Sequence, residues 1–168
     1  MIPRTLFCVI CALAFAANVF AQGTIFVVRH AERADTTAGA PATMAADPDL
    51  SESGRARAAS LASMLKDAHI SAIFVTEYKR TQQTAAPLAK ALGITPIVIA
   101  AKDTAGLTAR LKRKTNGSAL VVGHSNSVPD IITALGIRTP VSVDDTEFDN
   151  LFIVTPQSPP QVIQLRYR

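Results

Sequence analysis

The chain has 168 residues, two cysteines and a formal net charge of +4. That length suits one domain with its own core. The basic balance is mild and the few aromatic residues do not interleave with the cations, so a nucleic-acid role is unsupported. An anionic small ligand fits the charge at least as well.

Both cysteines, Cys8 and Cys11, fall in the first apolar stretch. Arg4 stands ahead of an apolar run from Leu6 to Ala17, and Val19-Phe20-Ala21 is an acceptable small-residue cleavage site. The pattern reads as a secretory signal peptide over 1–21, with residues 22–168 as the domain that remains. The apolar run is short for a membrane span, so no stable membrane anchor is expected, a retained one being the other reading. Ile10 stands where a lipoprotein signal ahead of Cys11 wants a small residue. The expected location is the periplasm or the outside of the cell. Without the leader no thiol is left, which removes cysteine nucleophiles and cysteine metal sites.

Ile25 to Val28 reads as a short buried strand. It runs into Arg29-His30-Ala31-Glu32-Arg33, charged groups that a core does not take without partners. The plain reading is a histidine satisfied by a backbone carbonyl and an arginine paired with Glu32. The functional reading is a site beyond the carboxyl end of a strand. Residues 34 to 50 carry no periodicity and read as a long loop. Ser51-Glu52-Ser53-Gly54 opens a helix to about Asp67, with Ala56, Ala59, Leu61, Ala62 and Leu65 as its apolar positions.

Ile70 to Val75 is a second strand. His69, just before it, is expected at the opposite sheet edge. Tyr78 to Leu92 is a second helix, stopped by Gly93 and expected to kink or split at Pro87. Ile94 to Ala100 reads as a third strand, and Asp103 or Thr104 caps a helix to about Lys114. The cations Arg110, Lys112, Arg113 and Lys114 read as its solvated end. Ala119 to Gly123 is a fourth strand, ending in His124-Ser125-Asn126, and Pro129 suits the first turn of a helix ending near Gly136. Asn150 to Thr155 and Val162 to Tyr167 read as two antiparallel strands. Strand and helix alternate four times. The expected fold is therefore α/β, a three-layer α/β/α domain with a mostly parallel central sheet and an antiparallel C-terminal extension.

In such a sheet the residues after each strand reach one edge: Arg29 and His30, then Thr76, Glu77 and Arg80, then Asp103, then His124 and Ser125. Two histidines and two arginines gathered there are costly to bury unless an anion neutralises them. Arginine's planar donor fork matches phosphate oxygens. A neutral imidazole among arginines is a good nucleophile. The set favours phosphoryl transfer through a phosphohistidine.

These residues resemble a known family. Val28-Arg29-His30-Ala31-Glu32 is similar to the Arg-His-Gly-Glu signature of the histidine phosphatase superfamily, the phosphoglycerate mutase-like proteins. Thr76-Glu77-Tyr78-Lys79-Arg80-Thr81-Gln82-Gln83-Thr84-Ala85 resembles its second element, Leu50-Ser51-Glu52-Ser53-Gly54 its helix start, and Val122-Gly123-His124-Ser125-Asn126 its late Gly-His element. The resemblance implies that His30 becomes phosphorylated, while Arg29, Arg80 and His124 hold the phosphoryl oxygens. It implies no metal and no cofactor.

The departures are Ala31 for glycine, Arg33 for a common Ser or Thr, and Ser125 where one branch carries a catalytic Asp. Arg33, Glu77 and Ser125 join the expected substrate contacts. Asp103 is taken as the general acid, with Glu32, Glu77 and Asp145 as further candidates. Gly123-His124-Ser125-Asn126-Ser127 also imitates a serine hydrolase elbow, but no histidine follows His124 to complete it. The implied activity is an exported phosphatase acting on a small phosphorylated substrate or a phosphoprotein. The alternatives are a phosphomutase and a phosphate-ligand-binding module with little or no catalysis.

Overall fold

The computed structural model describes residues 23–34, 47–114 and 116–167. The expected signal peptide and most of the loop at 34–50 lie outside the described residues.

Ten elements follow in chain order: β1 (Ile25–Arg29), α1 (Glu52–Leu65), β2 (Ile70–Val75), α2 (Lys79–Leu92), β3 (Ile97–Val98), α3 (Thr104–Arg113), β4 (Ser118–Gly123), α4 (Ser127–Ala134), β5 (Asn150–Thr155) and β6 (Gln161–Arg166). One six-stranded sheet has the order β3-β2-β4-β1-β5-β6. Its β3, β2, β4 and β1 strands are parallel, and β5 and β6 extend it antiparallel.

Side chains alternate across the central strands and feed two cores. Phe26, Val28, Leu120 and Val122 pack with Leu61 and Leu65 of α1 and Leu88 of α2. Ile25, Val27, Ala119 and Val121 pack with Leu107 and Leu111 of α3 and Ile131 and Ile132 of α4. Covering on both faces explains why β1 and β4 read as unbroken apolar runs rather than as alternating ones. This is the three-layer α/β/α arrangement expected from the alternation.

Several local expectations hold for their stated reasons. Ser51 caps α1, its hydroxyl accepting from the Gly54 N–H. Gly93 ends α2 in the left-handed region at φ 65°. Asp103 caps α3 by accepting from the Gly106 N–H. His69 is exposed beside β2, at the end of the sheet away from Arg29.

Others do not hold. Ala56 and Ala59 face solvent, and α1 buries Gly54, Ala58, Leu61, Ala62 and Leu65. The helix is set by Gly54, where an added Cβ would stand 2.2 Å from the Glu32 carbonyl oxygen. Pro87 does not split α2, which is continuous through it. One missing hydrogen bond is outweighed by a face that buries Thr84, Ala85, Leu88 and Ala89. The third strand is two residues long, not seven, and lies exposed at the sheet edge. The Ile94 N–H is taken by Ala89 at the end of α2, and Pro96 has no N–H to offer.

The fold makes a crevice at one edge. Arg29 pairs with Gly123, so β1 and β4 end level with each other. The chain after β1 leads to α1 on one face, and the chain after β4 leads to α4 on the other. Adjacent strands whose chains leave in opposite directions open a gap at their carboxyl ends.

Candidate active site

His30 continues the β1–β4 ladder by one residue, its N–H donating to Gly123 O at 2.9 Å. The next peptide is held as well: the Ala31 N–H donates to Thr84 Oγ1 at 2.9 Å, and Thr84 donates to Arg80 O at 2.7 Å. The His30 backbone is thereby tied to β4 and to the start of α2. Ala31 is fully buried with Leu50 and Ala58, so its methyl fills a small apolar niche.

The His30 ring is fixed through Nδ1, which lies 2.8 Å from Ala31 O. A carbonyl can only accept, so Nδ1 carries the hydrogen and Nε2 keeps a free lone pair. Burial, opposed by that carbonyl bond and reinforced by Arg29, Arg80 and His124, pushes the imidazole down to about 3. The carbonyl half of the plain reading of His30 is therefore correct, and it is what orients the nucleophilic nitrogen.

His124 is held the opposite way round. Its Nε2 is 3.1 Å from Thr76 Oγ1, and its Nδ1 is 3.3 Å from Arg80 Nη2. An arginine only donates, so Nδ1 accepts and Nε2 carries the hydrogen. A chain of hydroxyls agrees with this direction: Thr76 donates to Thr81 at 2.9 Å, and Thr81 to Tyr78 O at 2.8 Å. Burial first, then Arg80, lowers His124 to about 4, against the opposing pull of Glu77. The two rings stand edge to face with centroids 5.4 Å apart.

The arginines are aimed by side chains around them. Arg29 donates through Nη1 to Asp144 O at 2.9 Å and Glu147 O at 3.1 Å, and it lies 4.2 Å over the Phe148 ring. Its Nη2 is 3.8 Å from Asp145 Oδ1. Burial lowers the Arg29 pKa, and Asp145 opposes this. Arg80 lies 4.3 Å over the Tyr78 ring, with Nη1 3.5 Å from Asp47 Oδ1. Stacking on an aromatic plane restricts where each guanidinium fork can point.

Arg29, His30, Arg33, Glu77, Arg80, His124, Ser125 and Asp145 line one cleft of about 410 Å³. The expected set is thus brought together with one exception. Asp103 does not line this cleft, and its carboxylate caps α3 through Gly106. The expected pairing of Arg29 with Glu32 is also incorrect. Glu32 takes a bidentate bond from Arg57, Nε donating to Oε2 at 2.9 Å and Nη2 to Oε1 at 2.7 Å, which removes it as a candidate acid. Glu77 lines the cleft while accepting from the Ala101 N–H at 2.8 Å.

The sequence reading passes over Asp47, Tyr78, Thr81, Lys102 and Phe148. The only signal was in the aromatics: Tyr78 and Phe148 are rare rings placed in polar stretches. Among the described residues no group of His, Cys, Asp and Glu is placed to hold a metal ion.

Chemically, the cleft offers an unprotonated imidazole nitrogen among two guanidinium forks and a second imidazole. That is a nucleophile beside donors suited to a phosphoryl group. Residues 25–103 match the model of the histidine phosphatase superfamily (branch 1). No curated protein matches the sequence.

Several solved structures share the fold. The protein histidine phosphatase SixA, complexed with tungstate, is similar at 20% identity and TM-score 0.64, over 85% of this chain and 96% of that one. A mycobacterial glucosyl-3-phosphoglycerate phosphatase is similar at 13% identity and TM-score 0.63, over 86% and 98%. Mycobacterial hydrolase 1 is similar at 12% identity and TM-score 0.62, over 84% and 96%. The match ends before His124, and it is the parallel pairing of β1 with β4 that sets this histidine against His30. The chain is thus similar to the histidine phosphatase superfamily over residues 25–103 and shares its fold with solved phosphatase structures.

Proposed function

We propose that the chain is a phosphatase that hydrolyses a phosphomonoester through a phosphohistidine at His30, and that it works in the periplasm or outside the cell. The observation that carries the reading is the His30 ring: Nδ1–H is fixed on Ala31 O, and Nε2 is left as a buried, unprotonated nucleophile. Nε2 forms a bond to phosphorus as the P–O bond to the leaving group breaks. Arg29 and Arg80 take the charge on the phosphoryl oxygens, and His124, accepting from Arg80 through Nδ1, holds that guanidinium in place. Water then attacks phosphorus, the N–P bond breaks, and inorganic phosphate leaves. Positioning and charge stabilisation do most of the work in such a transfer.

Similarity to the superfamily over residues 25–103 supports a phosphatase, and the similar structures include a protein histidine phosphatase and a glucosyl-3-phosphoglycerate phosphatase. A small phosphorylated compound and a phosphoprotein both fit the cleft's charge. A pure binding module would need no oriented imidazole lone pair, so His30 favours turnover. Export rests on the leader pattern at 1–21. Intact mass of protein from an exporting host should begin at Gln22, and retention of Met1 would remove that part of the reading.

Rapid quench with a labelled phosphomonoester tests the chemistry. An acid-labile, base-stable phosphoenzyme should appear and map to His30. His30→Ala should lose turnover yet still bind inorganic phosphate. Label on Ser125, or full activity in His30→Ala, would overturn the assignment.

A further inference from the structure

A phosphomonoester with a poor leaving group needs a proton on the departing oxygen, and the acid expected from sequence, Asp103, caps α3 outside the cleft. The other acids near the site divide sharply. Glu32 is clamped by Arg57. Asp47 accepts from the Lys79 N–H with both oxygens, at 3.1 and 3.0 Å. Two carboxylates line the cleft, Glu77 and Asp145, and Glu77 is anchored through Oε2 on the Ala101 N–H.

Asp145 differs in how it is held. Its Oδ1 accepts from Ser125 Oγ at 2.6 Å, and Ser125 is the residue after His124. The same Oδ1 is 3.8 Å from Arg29 Nη2. The carboxyl therefore sits between a phosphate-binding arginine and the segment that carries the second imidazole. The backbone around it is braced, because Asp144 O and Glu147 O both accept from Arg29. We propose that Asp145 is the proton donor of the first chemical step, with Ser125 as the residue that positions it. The inference rests on the phosphatase reading above.

The charges around the carboxyl make the role workable. Asp145 faces Arg29 across 3.8 Å, with Arg33 and Lys102 as further cations on the cleft wall and Glu77 as the other acid. A phosphoryl dianion that binds Arg29 takes the carboxylate's counter-charge. In the step itself the Nε2–P bond forms, the P–O bond breaks, and the leaving oxygen takes the Asp145 proton. In the second step Asp145, now a carboxylate, accepts a proton from the attacking water as the N–P bond breaks. The donor is thereby restored, and no other reagent is consumed.

Leaving-group dependence tests this on the full chain. Single-turnover rates are measured for p-nitrophenyl phosphate, whose leaving group needs no proton, and for an alkyl phosphate, which does. Asp145→Asn should slow the alkyl ester by about 10²-fold or more, the range of general acid catalysis, while p-nitrophenyl phosphate changes only slightly. Ser125→Ala should show the same selective loss at smaller size, since it displaces the donor without removing it. Equal slowing of both esters by Asp145→Asn would mean a role in charge or structure and would overturn the proposal. So would a selective loss that appears in Glu77→Gln instead. If the unaltered protein turns over neither ester, the phosphatase reading itself fails and the proposal falls with it.

Discussion

Two imidazoles held neutral by burial make the fold sensitive to mild acid. His30 lies at about 3 and His124 at about 4 in the folded chain, against an ordinary 6.5. Below pH 6.5 an unfolded histidine takes up a proton that the folded one refuses, so the unfolded state binds more protons and stability falls as pH falls. The loss begins near pH 6.5 and continues until the folded values are reached. At pH 5 each protonated unfolded imidazole favours unfolding by about 2 kcal/mol, and almost nothing is lost at pH 7.5. The pair therefore removes about 4 kcal/mol between these values, a large share of a typical domain's 5–15 kcal/mol. With a urea slope of about 2 kcal/mol per molar, the midpoint should drop by about 2 M.

Asp144 and Glu147, whose pKa values are lowered by hydrogen bonds, titrate below this window. Urea melts at pH 7.5, 6 and 5 should be compared with those of a His30→Asn, His124→Asn double variant. The double variant should lose most of the pH slope, whatever its absolute stability. An identical slope in both proteins would refute the claim that these two rings are buried uncharged.

Two further changes separate chemistry from scaffold. Arg80→Ala removes a guanidinium that reaches both His124 and the cleft, so kcat/KM should fall about 10²- to 10³-fold. Calorimetric titration should show weaker binding of inorganic phosphate, and unchanged phosphate affinity would remove Arg80 from the anion site. Glu32→Ala takes away the carboxylate of the mostly buried Arg57 guanidinium and leaves it the Tyr167 carbonyl, at 3.0 Å. It should cost about 2 kcal/mol, between the values for exposed and fully buried pairs, and leave turnover unchanged. A urea midpoint equal to that of the parent would show that the pair is not structural.

Much of the architecture is written in short-range signals. Apolar runs mark β1, β2 and β4 because each is covered on both faces, and Ser51, Gly93 and Asp103 mark helix ends through bonds to residues only a few positions away. The same locality places Arg29 at the end of β1, His30 and His124 just beyond β1 and β4, and Arg80 in the first turn of α2, so their convergence at one sheet edge could be read from the sequence. What remained illegible has partners far along the chain. Arg29 is gripped by the carbonyls of Asp144 and Glu147, 115 and 118 residues away, and no pattern near Arg29 announces them. Glu32 could have served Arg29, three positions back, but packing of α1 delivers Arg57 to it. Asp103 looked available as an acid until its own helix claimed it, while Asp145 gained Ser125 as a neighbour through folding of the segment before β5. Periodicity and capping act within a few residues and survive in a one-dimensional reading. Which of several equivalent carboxylates meets a given cation is decided by packing, and that exists only in three dimensions.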